Sequence, residues 1–430
     1  MSFIHLMDKG QVAGSRKILP LRVLVGTRWD GGGNMMRWLL VVLLLLLATP
    51  SQAARINIIG FESGLLDPEP WAYSGTVSIS STTVRTGGYS LRVNPTTTAT
   101  GLYRVGCFTS AGGRDVACNV ATIYPRFYYR YATKPASGSE ILFQSRTSAD
   151  GVKFSLRLNS TGNLVAYDSA GTLLATGSTV LAQDTWYRIG LKVGTGASAD
   201  WEVKLNGTSE ISGTGASLNA SNNGRLVLGK PTDVSGQSID FFYDDFSLDD
   251  AEYPEEGKIV RLVPNANGST MAWTTGTGSS NYLEVDDVPI AAGSYVKNTG
   301  AANEVALFDL TDSATAGISG TIRAVRPLVL ARLDATGTSA FSLRTRSGTT
   351  NTDLATVALT TGGAYLSTTY ATDPDTAGAW STAAIDALEV GGIETAAVST
   401  RLQDVHVYVE YTEAAVSSPG GLMLMGVGGR

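Results

Sequence analysis

Histidine, cysteine and charge are all scarce in this chain of 430 residues. Two histidines leave almost no room for histidine-dependent acid–base or nucleophilic catalysis. Two cysteines exclude a disulfide-dense scaffold and a cysteine zinc cluster. Charged residues make up 16%, against roughly 25% in an ordinary soluble domain, which excludes a helix-rich composition dense in Lys, Glu and Arg. No basic run occurs and the formal net charge is −6, so nucleic acid is not expected as a partner. The apolar run at 38–48 has 11 residues, well short of the about 20 that a transmembrane helix needs.

That run has another use. Met35, Met36 and Arg37 precede it, and Thr-Pro-Ser51-Gln-Ala53-Ala follows. A cationic start, an apolar middle and small residues at the cleavage positions describe a secretory signal peptide over 35–53, cut after Ala53. Residues 1–34 are then expected to be a spurious upstream extension. Asp30-Gly31-Gly32-Gly33-Asn34 could be a purine-rich ribosome-binding site read as protein, with translation starting at Met35 or Met36. The segment 1–53 carries six of the 32 basic and two of the 38 acidic residues, so the mature chain would hold 26 against 36, a net charge of −10. His5 leaves with it, and no stable membrane span remains. Cys107 and Cys118 stay, and an oxidising compartment lets them pair as a disulfide.

What the chain has in abundance is alternation and glycine, with 49 glycines. Phe154, Leu156 and Leu158 share one face. Tyr187, Ile189, Leu191 and Val193 do the same, as do Trp201, Val203 and Leu205. Period two predicts half-buried strands. Turn residues separate them, as in Asn206-Gly207 and Asn222-Asn-Gly224. The second half repeats the pattern in Thr321–Arg326, Ala340–Arg346 and Val405–Tyr411, and Ser381–Leu388 alone has a helical pattern. The expected fold is all-β: two antiparallel β-sandwich (jelly-roll) domains after the N-terminal signal peptide. The first occupies 55–250, an acidic Pro-containing linker 251–256, and the second 257–413. A flexible Gly-rich tail fills 414–430.

Four stretches of the first domain carry a resemblance: Gly60-Phe-Glu-Ser-Gly64, Arg85-Thr-Gly-Gly-Tyr-Ser-Leu-Arg92, Asp184-Thr-Trp-Tyr-Arg-Ile189 with Lys204-Leu-Asn-Gly207, and Phe242-Tyr-Asp-Asp-Phe246. It resembles the concanavalin A-like, laminin G-like jelly rolls. The second domain, through Leu262-Val-Pro-Asn265, Trp273-Thr274, Asn281-Tyr282 and Asp373-Pro374 to Trp380, resembles modules of phage structural and bacterial surface proteins. The first resemblance implies a structural calcium where the opening Phe-Glu strand meets the closing Asp-rich one. Glu62, Asp244 and Asp245 occupy those positions, and calcium takes hard oxygen ligands.

A glycan surface needs aromatic and polar groups on one sheet face. In the strand 124–131, Phe127, Tyr129 and Tyr131 share the expected core face, and Arg126, Tyr128 and Arg130 the other. Gln144 and Arg146 on the next strand complete the expected glycan-binding set. No catalytic residue is assigned. The carboxylate string Glu284-Val-Asp286-Asp287 lacks a third acid and runs into Pro289, so retaining glycoside hydrolysis has no support there. His406 has no nucleophile elbow and is expected at a surface or edge. The expected function is a non-enzymatic exported surface or adhesion protein that binds a glycan or cell-surface polysaccharide through its first domain, as monomer or homo-oligomer. The alternative is a phage virion component of tail or decoration type. A glycoside hydrolase comes third.

Overall fold

The computed structural model describes residues 55–66, 73–105 and 118–413, apart from 277, 279 and 292. The expected extension 1–34, signal peptide 35–53 and tail 414–430 lie outside the described residues. So does Cys107, and with it the expected pairing to the buried Cys118.

The chain is all-β and forms two antiparallel sandwiches. One sheet of the first has eight strands. It runs from Thr208–Ala216 through Ala199–Leu205, Tyr187–Val193, Tyr124–Thr133, Asp240–Asp249 and Ser90–Val93 to Val77–Ser80, and Arg55–Ile59 also pairs with Asp240–Asp249. The facing sheet has seven: Leu173–Val180, Asn163–Tyr167, Val152–Asn159, Ser139–Arg146, Arg225–Lys230, Gly101–Val105 and Tyr73–Gly75. Alternation decides what lies between them. Phe127, Tyr129 and Tyr131 meet Phe154, Leu156, Leu158, Leu226 and Leu228 in one apolar core. Ring pairs such as Phe127–Phe143, stacked at 5.7 Å, fill it.

The second sandwich pairs a six-stranded sheet with a five-stranded one. The strand Thr400–Thr412 sits inside the six-stranded sheet, bonded to Thr321–Leu333, Lys258–Leu262 and Val296–Lys297. Trp273 and Trp380 are buried in a core of its own with Phe308, Phe341 and Val405. The helical pattern becomes the helix Thr382–Asp386, where the Ser381 hydroxyl accepts the Ala384 N–H at 3.1 Å as an N-cap.

A third, small apolar cluster of Ile58, Ile259, Ala324 and Tyr408 joins the sandwiches. Charges surround it. Glu410 on the strand Thr400–Thr412 accepts from Arg126 and, at 2.7 Å, from Arg55 Nε of the first sandwich. Arg326 donates to the Ile58 carbonyl at 2.8 Å, and Asp245 accepts the Ile259 N–H at 2.6 Å. The segment 251–256 is held as well: the Tyr253 hydroxyl donates to Glu202 at 2.5 Å, and its ring meets Tyr124 edge-on.

Candidate functional site

The expected glycan residues fall on two different sheets. Arg126, Tyr128 and Arg130 point outward from the eight-stranded sheet, and the second sandwich and the linker close over Arg126. Arg126 is 0% exposed and ends on Glu410 and the Gly257 carbonyl. The Tyr128 ring is capped by the Arg85 guanidinium, 3.2 Å from its centroid. Arg130 pairs with Asp184 at 2.7 Å. Arg126 and Tyr128 are therefore already occupied, by the junction and by Arg85, while Arg130 and Asp184 stay partly exposed. A cleft of about 240 Å³ remains beside the linker, lined by Arg85, Tyr128, Trp186, Arg188, Asn206 and Glu256.

Gln144 and Arg146 belong to the seven-stranded sheet, on its outward face. Register places Arg104, Val227, Gln144, Ser155 and Tyr167 in one cross-strand row, and Arg225 beside Arg146 in the next. Arg104 lies between the core residues Tyr103 and Val105, and Arg225 precedes the core Leu226, so strand alternation turns both outward. The three arginines converge on one carboxylate. Asp150 Oδ2 lies 2.9 Å from Arg104 Nη2 and 3.2 Å from Arg146 Nη1, and its Oδ1 lies 3.9 Å from Arg225 Nη1. Gln144 fixes the fork by accepting Arg146 Nε at 2.9 Å and Nη2 at 2.7 Å. The Arg157 guanidinium carbon lies over the Tyr167 ring, 3.9 Å from its centroid, and burial pulls the guanidinium down from the ordinary value, though an arginine remains charged. The side chains reach solvent, from 10% exposed at Arg146 to 31% at Asp150. Sequence reasoning missed Arg104, Arg225, Asp150, Arg157 and Tyr167. The signal for the strand residues was a polar position beside core residues, which becomes a cluster only when strand order is known; Asp150, in a turn, carried no such signal.

The expected metal residues do meet. Glu62, Asp244 and Asp245 are all buried at the edge of the junction. Their oxygens are largely taken. Asp244 Oδ2 accepts from the Arg85 and Thr86 N–H groups, and its Oδ1 from the Asp245 N–H. Asp245 holds the Arg85 guanidinium at 2.6 Å, the Thr86 hydroxyl and the Ile259 N–H. Glu62 Oε2 accepts the Gly88 N–H at 2.7 Å. Burial, with the negative charge of Asp245 added, pushes the Glu62 carboxyl up to about 8. Burial and the same neighbour raise Asp244 far above the usual carboxylate range. Calcium needs six to eight oxygens. This set does not fit it: the Arg85 guanidinium holds the position on Asp245 that a cation would take. Among the described residues, no group of three or more His, Cys, Asp or Glu is placed to hold a metal ion.

His406 is also corrected. It is fully buried on a central strand, with Nδ1 2.8 Å from Asp404, which in turn holds Arg261 at 2.9 Å. Central pairing of its strand puts it in the interior, where a surface or edge position was expected. Glu284 closes the 3-10 helix Asn281–Glu284, is buried, and accepts the Tyr295 N–H at 3.3 Å.

No family model and no curated protein matches the chain. Among solved structures it is similar to an endo-beta-1,4-glucuronan lyase from the fungus Trichoderma reesei, with TM-score 0.35 and 12% identity over 46% of this chain and 95% of that one. It is similar to a marine alginate lyase from Aplysia kurodai, with TM-score 0.34 and 12% identity over 47% and 100%. A carbohydrate esterase from the Shiga toxin-encoding bacteriophage phi24B matches with TM-score 0.33 and 14% identity over 46% and 100%. The expectation of a non-enzymatic protein is corrected by these matches. They are lyases and an esterase, and that expectation is not kept. No helix among the described residues is long and apolar enough to cross a membrane.

Proposed function

We propose that the protein is exported and acts on or recognises a carbohydrate at the outward face of the seven-stranded sheet. One observation carries the reading. Three arginines, a glutamine that orients one of them and a tyrosine carrying a fourth arginine share a single sheet face. Sugars are recognised by planar donors that fork over two oxygens. The row from Arg104 to Tyr167 crosses five strands, which at about 4.8 Å per strand spacing is about 19 Å. Its ends, Arg104 and Tyr167, are partly exposed, and Val227, Gln144 and Ser155 between them are buried.

The test is a glycan array with the purified protein and two variants, followed by a reducing-end assay on any sugar that binds. Arg146→Ala should abolish binding, and Arg344→Ala, on the second sandwich, should leave it intact. New ends appearing with time would mark turnover, and stable binding without new ends would mark recognition alone. A folded protein that binds no sugar, or whose binding survives Arg146→Ala, would remove this face from consideration.

A further inference from the structure

We infer that the ligand of this face is an acidic sugar, and that Asp150 occupies the place of its carboxylate until the ligand arrives. The inference rests on the proposed carbohydrate site and adds the ligand's charge and the means of its control.

Three guanidiniums on adjacent strands repel one another, and like charges side by side in a sheet are destabilising. Asp150 is the carboxylate that Arg104 and Arg146 share, at 2.9 and 3.2 Å. Its carboxylate comes from a turn, while the arginines come from strands. The turn is closed by the Thr147 N–H on the Gly151 carbonyl at 2.8 Å and by the Asp150 N–H on the Thr147 carbonyl at 3.0 Å. Asp150 itself has φ +68°, a left-handed conformation that Asp and Asn tolerate better than most residues. A turn can shift a side chain without disturbing the ladder. The arginine most tightly oriented, Arg146, keeps Nη1 for the carboxylate while Gln144 holds its other two nitrogens. The result is a carboxylate socket of pre-set geometry, filled by a side chain that is itself 31% exposed. Arg157 over Tyr167 supplies a second cation farther along the row, as a polymer with one carboxylate per sugar would require.

The probes are a uronate tetramer, the same tetramer with its carboxyls reduced to alcohols, and a sulfated neutral tetramer. Calorimetric titration is run with the wild type, Asp150→Asn and Arg225→Ala. The uronate should bind the wild type and lose at least about tenfold with Arg225→Ala. Asp150→Asn keeps the turn and removes the competing charge, so affinity should rise by about tenfold, the cost of a self-occupied site. Circular dichroism and the thermal midpoint verify that each variant is folded. Equal or stronger binding of the reduced tetramer would overturn the acidic ligand while leaving the proposed site standing. Preference for the sulfated sugar would overturn the carboxylate assignment. Unchanged or weaker uronate binding by Asp150→Asn would show that Asp150 organises the arginines, and would overturn its role as a stand-in. If folded protein binds none of the three, the proposed site itself falls, and this inference with it.

Discussion

Glu62 is a carboxylate held where its charged form is unwelcome. Its Oε1 finds no hydrogen-bond partner among the described residues, and its carboxyl lies against the Gly87 backbone, where an added Cβ would come within 2.2 Å of the carboxyl carbon. Gly87 also has φ +63°, so glycine suits both the space and the conformation. The folded-state value of about 8 lies above the ordinary 4.5. The native state therefore holds the proton more tightly than the unfolded chain does. Glu62's contribution is intact below about pH 4.5 and is lost as pH rises through about 8. Asp244, shifted in the same direction, adds to the same slope. Glu62→Gln should raise stability at pH 8 by at least about 1 kcal/mol and change it little at pH 4. Urea unfolding at the two pH values reads the difference. Calcium and chelator should leave the thermal midpoint where it is, because Arg85 already sits on Asp245. A midpoint that rises with calcium would put a cation among these acids.

At the scale of elements, the alternation in the sequence was a reliable guide to which side chains face a core. Phe154, Leu156 and Leu158 lie where their period-two pattern puts them, and so do Ile189, Leu191, Val193, Trp201, Val203 and Leu205. The same pattern separated Arg126, Tyr128 and Arg130 from the core but could not say what lies on their other side. The answer is a strand 284 residues farther along the chain, which brings Glu410 to Arg126. Nor could local pattern assemble the arginine cluster, since Gly101–Val105 and Ser139–Arg146 flank Arg225–Lys230 in the sheet without being its neighbours in sequence. Glu410 shows what the long-range pairing is worth. It is 1% exposed and takes both Arg55 and Arg126, so Glu410→Ala leaves the buried Arg126 guanidinium without its acid and Arg55 with Asp249 alone. A loss of about 3–5 kcal/mol is expected, against under about 1 kcal/mol for Glu413→Ala, whose partner Lys258 is at the surface. Paired urea titrations measure both.

At the scale of the whole molecule, two cores are joined by a third apolar cluster and a ring of buried charges. Inter-domain motion is the default where an interface is small and polar. Here the linker is pinned at Tyr253, and backbone groups of one sandwich bond to side chains of the other. The two sandwiches should unfold in one calorimetric transition in the wild type, and in two with Glu410→Ala. Two transitions already present in the wild type would show that the junction does not couple them.

The junction also gives the molecule a front and a back. The second sandwich abuts the eight-stranded sheet, so the arginine-bearing face lies on the far side of the first core. A copy anchored through its C-terminal sandwich would carry that face on a stiff arm, with its aim fixed by Arg126 and Glu410. Many such copies on one surface would present their sockets in parallel, and a polymeric ligand could then be gripped at several points with little loss of orientational freedom on binding.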